Sequence, residues 1–194
     1  MPYRIKIIQA GYSLRQKAGN LQADGTITLI TGLRNIIVDT GLPKDKELIL
    51  AALEAEKLSP EDIDWIICTH GHSDHVGNNN LFSVSRFVVG FDYSLGDLYT
   101  LHDFASGHPL EIDHNIKIIP TPGHTGQDVS LLLTWNNALW AIAGDLFESR
   151  ADLEDESLWR EQSLFPKIQQ QSRNLILKTV NFIVPGHGEA FKVK

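Results

Sequence analysis

The sequence predicts an α/β fold with one functional site along one edge of its sheets. Three observations predict it. Short apolar runs of strand length are interspersed with longer stretches at helical spacing. The 194 residues are 42% hydrophobic and 21% charged, enough apolar material for the core of a single domain over 1–194. Four of the predicted strands end in a loop that carries His or Asp, and groups gathered from several strand ends mark one site on a rigid scaffold.

Residues 3–10 read as a strand, with Ile5, Ile7 and Ile8 apolar. The Asp24-Gly25 turn introduces a hairpin pair over 26–31 and 35–39. Residues 42–57 read as a helix, since Pro43 suits a first turn and Leu48, Ile49, Ala52 and Leu53 form one stripe. Ser59-Pro60-Glu61-Asp62 has the form of a helix-start box before a single turn. A short buried strand over 65–68 ends abruptly in the polar run 69–77, and another strand covers 86–90. Residues 91–110 read as an irregular segment lying over the site. Strands follow over 117–120, 129–134 and 138–143, then helices over 156–163 and 167–178 separated at Pro166, then a last strand over 181–184.

The net charge of −7 excludes a nucleic-acid binder that works through a global basic field, so any such activity must rest on a local site. One cysteine, Cys68, excludes an internal disulfide framework and suits a reducing compartment. Cys68 itself reads as buried packing. Apolar runs fall short of the roughly 18 residues that span a bilayer, and residues 1–10 carry no secretory pattern, so no membrane partner is expected. Trp65, Trp135, Trp140 and Trp159 read as core or interface, with Trp159 a candidate homodimer contact. Arg173 and Lys178, on the late helix, read as part of a solvated face.

The chemistry concentrates in His70-Gly71-His72-Ser73-Asp74-His75, four metal-competent side chains directly after a buried strand. Neutral imidazole and carboxylate suit zinc, iron and similar ions. Alternate residues of an extended loop face one side, so His70 and His72 can share one ion. Asp74 and His75 follow where the chain bends and can reach a second. His124, Asp145 and His187 each follow a strand end and sit beside glycines that let backbone approach a crowded centre. Singly, each is equally a turn residue, a hydrogen-bonding residue or a cap.

In this order the motifs resemble the metallo-β-lactamase fold superfamily over nearly the whole chain. The resemblance implies a four-layer αββα sandwich with a metal site at one edge. It places His70, His72 and His124 on one metal, Asp74, His75 and His187 on a second, and Asp145 between them. Two divalent ions are implied, zinc first, with iron or manganese compatible with the same donors. One local departure is Thr125-Gly126-Gln127, where many relatives carry the glycine one residue later. Two divalent cations outweigh Asp74 and Asp145, and a bridging hydroxide would leave about +1 at the centre, attractive to an anionic or polarised ester. Asp74 is the expected catalytic residue, orienting that hydroxide.

The stretches 68–78, 143–148 and 184–188, the acidic run 152–156 followed by Trp159, and Gln171-Ser172-Arg173 are similar to those of small, single-domain, intracellular members of the family. Those members are associated with endonucleolytic RNA cleavage in histone pre-mRNA 3′-end processing. The implied function is a metal-dependent endoribonuclease acting on single-stranded RNA, with Tyr99, His102 and Arg150 as substrate contacts. The alternatives are hydrolysis of a small ester, thioester or lactone, iron-dependent redox chemistry on the same fold, and a non-catalytic binding module.

Overall fold

The computed structural model describes residues 3–193; Met1 and Pro2, at the start of the segment read for a secretory pattern, lie outside it. Its elements are β1 (Arg4–Gln9), β2 (Tyr12–Arg15), β3 (Leu21–Asp24), β4 (Ile27–Thr31), β5 (Ile36–Val38), α1 (Lys46–Ala55), β6 (Trp65–Cys68), α2 (Ser73–Val76), β7 (Arg86–Val89), β8 (Asp92–Leu95) and β9 (Leu98–Tyr99). They continue with β10 (Leu110–Glu111), β11 (Ile116–Pro120), β12 (Val129–Trp135), β13 (Ala138–Gly144), α3 (Ser157–Arg160), α4 (Pro166–Thr179), β14 (Phe182–Pro185) and β15 (Phe191–Lys192). One sheet has the order β1-β4-β5-β6-β7-β8-β9, the other β10-β11-β12-β13-β14-β15, and β2-β3 form a separate hairpin.

Side chains alternate across a strand, and here the two faces feed different cores. Ile36, Val38, Trp65 and Ile67 of the first sheet meet Val129, Leu131, Leu133, Ile142 and Val184 of the second between the sheets. The intervening Ile37, Ile66 and Cys68 point the other way and pack with Ile49 and Leu53 of α1. Leu132, Ala141 and Ile183 point outward from the second sheet against Ile176 of α4. Three cores separate four layers, which is the αββα sandwich. Because strands are buried on both faces they read as continuous apolar runs, and that is why β6 was legible to the residue.

The helix expected over 42–57 is a 3₁₀ turn at Pro43–Asp45 followed by α1, and the Asp45 carboxylate accepts from the Leu42 amide at 2.7 Å. The segment 91–110 is corrected. Its first part extends the sheet as β8 and β9, through two tight turns that each begin with a glycine at positive φ, Gly90 (+56°) and Gly96 (+58°). Gly-X turns of this kind connect hairpins, so this part of the segment is regular sheet and not irregular. The β2–β3 hairpin and the short edge strands β10 and β15 were not anticipated. Among the described residues no helix is long and apolar enough to cross a membrane.

Pro166 opens α4, where a missing amide costs nothing. The buried face of α4 is mostly polar: Gln169, Ser172 and Arg173 beside Ile176. Gln169 Nε2 donates to the Asp145 carbonyl at 2.9 Å, Ser172 Oγ to the Pro122 carbonyl at 2.8 Å, and Arg173 to the Leu146 carbonyl at 2.8 Å. Arg173 is therefore not a solvated residue. It makes a buried two-pronged pair with Asp152, Nη1 to Oδ2 at 3.1 Å and Nη2 to Oδ1 at 2.9 Å. Its guanidinium also lies over the Phe147 and Trp159 rings. Trp159 is fully buried, so it offers no surface for a dimer contact. Cys68 is buried as expected.

Removing one partner of a buried pair strands the other charge. Asp152→Ala is expected to lower unfolding free energy by about 3–5 kcal/mol, read as a shift in the urea midpoint. A loss under about 1 kcal/mol would mean the pair is not structural.

Candidate metal centre

The chain turns directly after β6. The Thr69 amide donates to Asp39 Oδ1 at 2.7 Å, and His72 stays extended (φ −70°, ψ 150°) before the single turn of α2. The extended part aims His70 and His72 one way, and the turn carries Asp74 and His75 round to another. His124 comes from the loop after β11, Asp145 from the end of β13 and His187 from the end of β14. Two backbone bonds stitch the sheets together at this edge, Val129 N to Thr69 O at 2.9 Å and Thr26 N to Gly186 O at 2.7 Å. A side chain at Gly186 would place its Cβ 1.9 Å from Asp145 Oδ1, so close approach requires glycine there.

The seven side chains form two overlapping groups. In the first, His72 Nδ1 lies 2.9 Å from His70 Nε2 and 3.0 Å from His124 Nε2, while Asp145 Oδ2 lies 3.5 and 3.3 Å from those two nitrogens. In the second, His187 Nε2 is 3.8 Å and His75 Nε2 3.9 Å from Asp74 Oδ2. Asp145 joins this group too, Oδ1 at 3.2 Å from His75 Nε2 and Oδ2 at 3.3 Å from His187 Nε2. Donors bound tetrahedrally at about 2.0–2.1 Å from one zinc lie about 3.3 Å apart, so the spacings fit. The buried atoms His75 Nε2 and Asp145 Oδ1 make no hydrogen bond. Unpaired buried donors and acceptors facing one another are costly unless something else binds them. These residues can hold metal ions.

Three of the outward ring nitrogens are anchored. His75 Nδ1 lies 2.9 Å from Asp39 Oδ2, His187 Nδ1–H donates to the Asp24 carbonyl at 3.0 Å, and His70 Nδ1 lies 3.1 Å from Thr69 Oγ1, which donates to Asp39 in turn. Asp39 thus serves one histidine of each group, held at φ +58°. Such outer contacts fix the tautomer and aim the ligating nitrogen.

Charge is divided unevenly. Burial and neighbouring imidazoles keep His70 well below the ordinary histidine range, and burial lowers His124 as well. Burial also opposes charge on His75 and His187, but the carboxylates around them together outweigh it, Asp145 with Asp39 at His75 and Asp145 with Glu148 at His187, and raise both, His187 to about 9. Burial alone would raise Asp145; His75, His187 and His70 instead hold it well below the carboxylate range. Glu148 is raised well above it by burial and by Asp145.

The three residues expected to contact substrate are scattered. Tyr99 is exposed on edge strand β9, three inter-strand spacings from β6, about 14 Å. His102 packs on Phe104 and its Nε2 lies 3.1 Å from the His108 carbonyl. Arg150 is exposed in the turn after Ser149, and Ser149 lines a cavity of about 90 Å³ beside His187. Leu21, Leu158 and Glu148 also line it. A larger cavity of about 570 Å³ lies at the other end, at the start of β6 and β7, away from this chemistry. Sequence reasoning missed Glu148, whose signal is an acid three residues past Asp145, and Asp39, whose signal is an acid at a strand end.

An ion bound by the second group must displace the His187 proton. At pH 7 uptake is expected to release protons, and apparent affinity should rise with pH until about 9, by up to about tenfold per unit for one proton. Calorimetric titration in buffers of differing ionisation heat measures the release; none at pH 7 would contradict it. In the metal-free protein the raised His187 pKa gives stability fully present below about 6.5 and lost as pH rises through about 9.

A family model described as the metallo-beta-lactamase superfamily matches residues 23–187. The chain is 40% identical over 195 residues to metallo-beta-lactamase domain-containing protein 1 of Xenopus laevis, covering 99% of this chain and 82% of that one. A Thermotoga maritima protein described as a metallo-beta-lactamase superposes with TM-score 0.74 at 20% identity, over 99% of this chain and 100% of the other. An N-acyl homoserine lactone hydrolase, with its product at the catalytic metal centre, superposes with TM-score 0.70 at 18% identity, over 96% and 92%. With the sandwich, the edge site and the two donor groups in place, the chain belongs to the metallo-β-lactamase superfamily and is a metal-dependent hydrolase by fold and donor set.

Proposed function

We propose that this protein is a dinuclear metal-dependent endoribonuclease that cleaves phosphodiesters of single-stranded RNA. The observation that carries the metal part is the pair of donor groups sharing Asp145. His70, His72 and His124 would hold one ion, Asp74, His75 and His187 the other, and Asp145 both. Zinc suits the donors best, with iron or manganese compatible. The ions would supply Lewis acidity and a water acidified to a pKa of about 7.

Within the chain, Asp74 is 14% exposed, the most open carboxylate of the seven residues. It would orient the attacking hydroxide. Arg150, next to Ser149 of the cavity beside His187, is the phosphate contact. Tyr99 and His102 can meet only flanking nucleotides, on a strand that runs across the first sheet. The RNA part rests on the similarity of the stretches 68–78, 143–148 and 184–188 to RNA-cleaving members of the family.

Hydrolysis of a small ester or lactone is the second reading. The cavity of about 90 Å³ beside His187 favours it, because Leu21, Leu158 and the buried Glu148 suit a compact, partly apolar substrate better than a polyanion. The lactone hydrolase of the same fold adds support.

Metal-loaded protein is expected to cut a labelled histone pre-mRNA 3′ fragment internally, and His72→Ala protein, run beside it, to fall to background. No cleavage by protein holding two ions, with turnover of an acyl lactone, would replace the first reading by the second.

A further inference from the structure

Four rings at the centre are buried: His70, His75, His124 and His187. Three have an outward nitrogen anchored on Thr69, Asp39 or the Asp24 carbonyl. His124 does not. Its Nδ1 is buried with no hydrogen bond, and so is Glu148 Oε1, 3.8 Å away. The neighbouring Asp128 cannot help, because its carboxylate is occupied by the Gly123 and Thr125 amides.

We infer that Glu148 is the positioning residue of His124, accepting a hydrogen bond from its Nδ1–H and so aiming Nε2 at the ion of the first group. The inference rests on the metal reading above. Closure of about 1 Å converts the 3.8 Å contact into a hydrogen bond. The backbone of Glu148 is pinned on both sides, its amide on Asp152 Oδ2 at 2.8 Å and its carbonyl on the His187 amide at 2.8 Å. Its side chain is thereby delivered to the centre by the same Asp152–Arg173 pair that fastens α4. The His124 backbone is held as well, its carbonyl accepting from Leu164 N at 3.0 Å, which leaves ring rotation as the freedom Glu148 removes. A competing role exists, because Glu148 Oε2 is 3.8 Å from His187 Nε2. Both nitrogens of His187 already have partners, Asp24 on one side and Asp145 on the other.

The test is cobalt(II) titration of metal-stripped protein, followed by visible absorption. His72→Ala and Asp74→Ala proteins define the bands of the first and second groups. Glu148→Ala is expected to weaken binding about 10- to 100-fold at the first group, the usual cost of an outer-shell partner, and to leave the second within about threefold. Glu148→Gln keeps an acceptor oxygen and should stay near wild type at both. If the alanine variant does not fold, Glu148→Met, of similar length without an acceptor, takes its place. Wild-type affinity in the alanine or methionine variant, loss confined to the second group, or equal loss in the glutamine variant would overturn the inference. A wild-type protein that binds no cobalt would overturn the metal reading itself.

Discussion

Asp145 is a carboxylate surrounded by four imidazoles and cut off from water, and the rest of the structure is arranged to keep it there. An uncompensated buried charge costs several kcal/mol, so the site cannot be assembled piecemeal. The His75 and His187 rings compensate Asp145 when protonated, and metal ions do so when bound. Either way the carboxylate needs the histidines within about 3.5 Å. That proximity demands glycine at 186 and backbone bonds tying the two sheets at one edge.

The scaffold meets the demand through polar contacts placed where apolar ones would be expected. On α4, Gln169, Ser172 and Arg173 occupy positions of the buried stripe and capture carbonyls of the His124 and Asp145 loops. Asp39 does the same from the first sheet, reaching His75 directly and His70 through Thr69. The His124 and Asp145 loops are thus fixed from the α4 layer, and the His70–His75 loop by the neighbouring strand end of its own sheet. The acidic surface matters less than this local charge, since two divalent ions outweigh the carboxylates that hold them.

Much of the fold was legible. β6 and the β4–β5 hairpin follow from β-branched runs bounded by turn residues, and Pro43 and Pro166 mark the helix starts. The donor set was legible because His70, His72, Asp74 and His75 lie within six positions, a density that a loop without metal chemistry has little reason to carry. The β7–β8 and β8–β9 hairpins went unread, although Gly90-Phe91 and Gly96-Asp97 are ordinary turn signals, because β8 and β9 are too short to show a face.

Composition and local spacing determined that this chain has short doubly buried strands, where they end, and which side chains at those ends can bind a cation. Those are properties of neighbours in sequence. Only the tertiary structure decided that Arg173 is buried on Asp152, that Trp159 is core, and that Asp39 and Glu148 stand behind the histidines. Each of these depends on a partner far along the chain, Asp39 on His75 and Glu148 on His124 among them. A charged residue carries no mark in sequence of whether water or a distant opposite group will satisfy it.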